Sequence, residues 1–155
     1  MGPARSDSEQ EPLIDKTRAL LEKAGFEVVF PELMDSLCCG QPFASKGYPE
    51  QAEAKRSELL DALRLASRDG EDPIYCDTSP CTLSLVQANV EGLDIYDPVR
   101  FIRSHLYDRL HFTPQPESVA VHVTCSTQHL GEGDGLLEIA RRCSSNVVVP
   151  EGIHC

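Results

Sequence analysis

Two adjacent thiols followed by a glycine, Cys38-Cys39-Gly40, come soon after the strand-like run Glu27 to Phe30. An α/β protein places its chemistry at such carboxyl ends of strands. Neighbouring cysteines do not readily bridge to one another, because the bond would strain the peptide between them. That leaves two readings: both sulfurs directed at one metal centre, or two small apolar side chains packed in a core. Gly40 allows the backbone to turn tightly and to approach whatever the sulfurs hold, since glycine takes positive φ without steric cost.

The chain has seven cysteines, an odd set with no secretion-type segment before it, which favours metal or redox work over disulfides. Cys38 and Cys39 follow the first expected strand. Cys76 ends a second, Pro73 to Cys76, and Cys81 lies just past it. In a parallel sheet the loops at the carboxyl ends share one side, so these four can converge although they are distant in sequence. Cys125 and Cys155 hold matching places after the later strands, Val119 to Val123 and Val147 to Val149. Cys81 is expected in the first turn of a helix capped by Ser79 and Pro80, where free N–H groups and the helix dipole favour a thiolate or a bound anionic cluster. Cys143 recurs with Leu136, Ile139 and Ala140 at helical spacing and reads as a core side chain.

The elements that position these residues follow from periodicity. Ser8, Glu11 and Pro12 resemble a helix start, and Leu13, Ile14, Thr17, Leu20, Leu21 and Ala24 then mark one helical face, closed by Gly25. Tyr48-Pro49-Glu50 opens a helix with Leu59, Leu60, Leu63 and Ala66 inward. Leu93 to Tyr96 is a third strand, and Asp97-Pro98 caps a helix carrying Val99, Ile102, Leu106 and Leu110. Strands alternating with helices predict an α/β fold, a parallel sheet with helices on both faces. Gly131, Gly133 and Gly135 lack the spacing of a nucleotide-binding fingerprint and read as a flexible loop. Val28 to Glu32 followed by Cys38 resembles Val147 to Glu151 followed by Cys155, which suggests two copies of one unit.

The bulk properties narrow the partners. A chain of 155 residues, 41% hydrophobic and 25% charged, suits one globular domain with a core that needs no disulfide staples. A net charge of -11 argues against nucleic acid and anionic lipid surfaces, which call for a basic footprint. No apolar run approaches a bilayer span, and the expected location is cytoplasmic.

The Cys38-Cys39-Gly40 triplet, residues 41 to 75 and then Cys76 resemble the cysteine-rich CCG domain of heterodisulfide reductases. The stretches Asp35 to Gly47 and Val121 to Ser126 are more similar still to the C-terminal region of FAD-linked iron-sulfur D-lactate dehydrogenases and glycolate oxidase iron-sulfur subunits. That resemblance implies an iron-sulfur cluster of the 4Fe-4S type, with Cys38, Cys39 and Cys81 as metal ligands and Cys76, Cys125 and Cys155 as further cofactor-binding thiols. Gly40, Thr78 and Ser79 would surround the sulfurs. It implies a parent in which FAD, bound outside this chain, takes a hydride from a D-2-hydroxy acid and passes electrons to an acceptor through such centres. The partners are then the rest of that flavoenzyme and its acceptor, with the parent at the periphery of the inner membrane and no catalytic residue in this piece.

The sequence departs from the family pattern at the closing pair, where Cys76 and Cys81 replace Cys-x-x-Cys and Ser79 stands at the second thiol's place. The leading cysteine is absent, and the chain stops at the first thiol of a second copy. The expectation is an excised piece with an incomplete, labile cluster: residues 1-111 a first CCG-type unit, 112-117 a linker and 118-155 the start of a second. Two other classes compete. One is a structural zinc or subunit-interaction domain using the same thiols. The other is a thiol enzyme with Cys39 or Cys81 as nucleophile and His122 or His154 as base.

Overall fold

A computed structural model describes residues 12–88 and 90–151. The expected cap at Ser8 and Glu11, and the roles expected of His154 and Cys155, lie outside those residues. Helix α1 (Leu13–Lys23) is followed by the Cys-Cys-Gly loop, a short α2 (Gln41–Ala44) and the long α3 (Pro49–Ala66). A βαβ unit comes next: β1 (Ile74–Tyr75), α4 (Ser79–Gln87) and β2 (Ile95–Tyr96). Helix α5 (Pro98–Phe101) continues as π-helical turns over Ile102–Leu106. A second unit closes the chain with β3 (Gln115–Ala120), α6 (Cys125–His129), α7 (Gly133–Cys143) and β4 (Ser144–Val148).

The fold is α/β, and its described ladders are two parallel pairs, β1 with β2 and β3 with β4. Alternation along a strand sends successive side chains to opposite faces, and the first pair uses both. Ile74 and Ile95 lie opposite each other and pack with Leu85, Leu59 and Leu60 of α4 and α3. Their neighbours Tyr75 and Tyr96 meet Phe101, Leu21 and Leu106 on the α1 and α5 side. Phe101 is the centre of that second cluster, with ring centroids 5.5 Å from Phe26, 5.3 Å from Tyr75 and 4.7 Å from His105. Buried Asp97 accepts from the backbone N–H of Arg100 at 2.8 Å, so the expected cap of α5 is formed.

Several elements differ from the sequence expectation. Glu27 to Phe30 joins no ladder; the run borders a cavity instead of pairing with β1. On α1 only Leu21 and Ala24 of the apolar face are buried, while Leu13, Ile14 and Leu20 are exposed. Gln115 opens β3 inside the stretch read as a linker. The register shifts between Gln115 and Ser118, around Pro116, which has no N–H to give to a ladder. Strand β3 is exposed along its whole length rather than buried, and among the described residues it pairs with β4 alone. Gly133 and Gly135 begin α7 instead of forming a loop, and a Cβ on buried Gly135 would come within 2.9 Å of Val99 and Arg103. Cys143 is exposed, not in the core. The chain turns straight from α7 into β4, and buried Ser144 takes the inward place, donating to the Glu117 carbonyl at 2.7 Å.

Gly40 is fixed by two constraints. Its φ is +83°, and a Cβ there would stand 2.2 Å from the carbonyl oxygen of Ala52, a buried residue of α3. Gly47 has nearly the same φ, +82°, with nothing near its missing Cβ. Gly40→Ala is therefore expected to lose about 2–4 kcal/mol, combining left-handed strain with overpacking, and Gly47→Ala only about 1 kcal/mol. Paired thermal or urea melts check this, and equal losses would remove the Ala52 contact as the cause.

Candidate thiol centre

Four cysteines border one cavity of about 560 Å³: Cys38, Cys39, Cys76 and Cys81. Cys38 and Cys39 arrive on the loop that Gly40 presses against α3. Cys76 stands two residues past Ile74, the spacing that returns a side chain to the same sheet face, and both pack against the cluster holding Cys39. Cys81 lies in the first turn of α4. Thr82 beside it is 1% exposed and donates to the carbonyls of Thr78 at 3.3 Å and Cys76 at 3.4 Å, which ties the helix start to the end of β1. Most of the cavity's lining is apolar, with Phe26, Val28, Phe30 and Leu63 among it.

The closest approach in this group is between Cys39 and Cys81. Their sulfurs are 3.2 Å apart, with the Cys39 thiol donating, although 42 residues separate them in sequence. Cys39 is buried at 3% exposure, and Cys38, Cys76 and Cys81 are half-buried. Cys76 donates weakly to the Thr78 carbonyl at 3.8 Å. The sequence offers a thiolate or a bound anionic cluster at Cys81, and in the metal-free chain burial works against the bare thiolate. Burial pushes its thiol up to about 12, helped by the Cys39 thiol and by the nearby sulfurs of Cys76 and Cys38. Loss of water around the sulfur outweighs the dipole of one helix end.

The other expected site residues divide. Cys125 begins α6, is exposed and is held in a disulfide, so it offers no free thiol. Its neighbourhood nonetheless meets Cys81's: Ser79 and Ser126 share a hydrogen bond of 2.8 Å, joining the starts of α4 and α6. Gly40 turns the loop with a φ of +83°, and the side where its Cβ would stand lies against α3. His122 is exposed, and the polar partner of Cys81 is a sulfur, so Cys81 and His122 form no dyad among the described residues; His154 lies outside them. Sequence reasoning missed α6 itself. The signal was Thr124, whose hydroxyl accepts from the N–H of Thr127 at 3.3 Å as an N-cap.

The donors fit an iron-sulfur centre in kind, being thiols at the edge of an apolar cavity. They do not yet form a complete set, since among the described residues no three cysteine, histidine or acidic side chains converge as a metal site.

A parallel α/β framework that brings a Cys-Cys-Gly loop against a second thiol-bearing loop defines a cysteine-rich domain. The family model for the CCG cysteine-rich domain matches residues 4–86, more than half of the chain, and the chain belongs to that family. The uncharacterized protein YkgE of Escherichia coli K12 is 39% identical over 66 residues, which are 43% of this chain and 25% of YkgE. The chain thus matches about a quarter of the length of that curated relative. No solved structure matches it. Among the described residues no helix is long and apolar enough to cross a membrane.

A thiol held protonated reacts slowly with electrophiles. At pH 8 Cys81 in the folded, metal-free chain is expected to alkylate with iodoacetamide at least roughly a hundredfold more slowly than exposed Cys143. Its rate should climb about tenfold per pH unit, because only the thiolate attacks. Mass spectrometry of the modified peptides reads both rates, and a fast, pH-independent reaction at Cys81 would contradict its burial.

Proposed function

We propose that this chain is the iron-sulfur electron-transfer region of an FAD-dependent dehydrogenase acting on D-lactate or a related D-2-hydroxy acid, with the flavin carried outside these residues. The observation that supports this reading is the 3.2 Å contact between the sulfurs of Cys39, on the Cys-Cys-Gly loop, and Cys81, in the first turn of α4. Cys39 and Cys81 would be the first pair of ligands, with Cys38 and Cys76 lining the same cavity. A bound iron-sulfur centre supplies one-electron exchange with little rearrangement.

The protein's own residues set the conditions. Cys81 must release a proton that burial holds tightly, so loading is coupled to proton release and favoured by alkaline pH. The apolar wall limits water at the sulfurs, which bears on the potential any bound centre takes. The remainder of the flavoenzyme and its acceptor are the partners, and the piece alone is not expected to turn over substrate.

Protein made anaerobically with ample iron should carry iron and acid-labile sulfide in comparable amounts, and Cys39→Ser or Cys81→Ser should lose at least half of both. Stoichiometric zinc without sulfide would instead assign the thiols to a structural site and remove the electron-transfer reading.

A further inference from the structure

We infer that Cys39 and Cys81 form a reversible dithiol–disulfide couple, and that its oxidised form closes the thiol end of the cavity to metal. The 3.2 Å separation of the two sulfurs is the contact of unbonded atoms. A bond of about 2.05 Å needs an approach of roughly 1.2 Å. Both thiols are held in place by the fold. Cys39 is 3% exposed and packed with Leu85 and Ile95, and Cys81 lies in the first turn of α4, which the hydrogen bonds of Thr82 tie to the end of β1. Two groups kept in contact react with each other far faster than with free thiols, since their loss of freedom is already met by the fold.

The competing pairings are less favourable. Cys38 with Cys39 is a strained vicinal bridge. The sulfur of Cys76 is directed to the Thr78 carbonyl rather than to another thiol.

The oxidant is a low-molecular-weight disulfide, R–S–S–R. One protein thiolate attacks it, forming a mixed disulfide and expelling RS⁻, which takes up the proton released. The second protein thiol gives up its proton and attacks the protein-side sulfur, forming the Cys39–Cys81 bond and releasing a second RSH. Two protein thiols are oxidised, one disulfide is reduced to two thiols, and no other reactant is needed. Sulfurs joined in this way no longer offer thiolates to a metal. Redox poise would thus govern loading of the centre, a consequence that rests on the metal-binding reading; formation of the bond does not.

The experiment uses the full chain, reduced and metal-free, incubated without oxygen in oxidised glutathione and digested without reduction. Peptides linked through Cys39 and Cys81 are expected, and the link should persist in a Cys38→Ser, Cys76→Ser double variant, which removes the two neighbouring thiols from the cavity wall. Glutathione adducts alone, or a link through Cys38 or Cys76 in the unaltered chain, would overturn the couple. Iron uptake by the oxidised chain should fall at least tenfold and return after dithiothreitol; full uptake with the link intact would overturn the gating. If the reduced chain takes up no iron at all, the metal reading fails while the peptide map still decides the couple.

Discussion

Between residue 40 and the Ala52 carbonyl there is no room for even a methyl group. This close approach is the constraint on which the thiol centre depends. It lets the Cys-Cys-Gly loop lie against α3, where Cys39 packs with Leu85 and Ile95 and meets the sulfur of Cys81. A looser loop would let water reach both thiols, and the burial that keeps Cys81 protonated would weaken. The tight turn that the sequence expects of Gly40 is made at φ +83°, and the helix α3 fills the space on its Cβ side.

Elements with a strong local signal were legible from the residues alone. Pro49 at a helix start, Asp97 before Pro98, and the apolar spacing of Leu136, Ile139 and Ala140 each carry their reason within one turn. Elements that depend on a partner were not. Val28 to Phe30 and Val147 to Val149 are nearly the same run, but only the second enters a ladder, because β3 lies beside it. Cys143 follows the helical period, but the turn into β4 brings Ser144 inward in its place.

The site divides along the same line. Cys39 and Cys81 meet across 42 residues, as the sequence expects, but the rule about strand ends covers only Cys76 and Cys81, because the run before Cys38 joins no ladder. The ionisation of Cys81 was read from its helix terminus, a local feature, and the outcome was set by what packs around it. Helix ends can be seen in a sequence; desolvation belongs to the assembled interior. The hydroxyls of Ser79, Thr124 and Ser126, which bind the two βα turns together, were visible only as separate loop residues.

The pair β3 and β4 has a further consequence. Each strand has one neighbour among the described residues, and Val119, Val148 and Val149 are at least one-third exposed. Open backbone edges of this kind invite pairing between molecules, and proteins counter it with charge. A net charge of -11 does that here by mutual repulsion. The carboxylates that take no part in the thiol chemistry thereby oppose edge-to-edge pairing between copies of the chain.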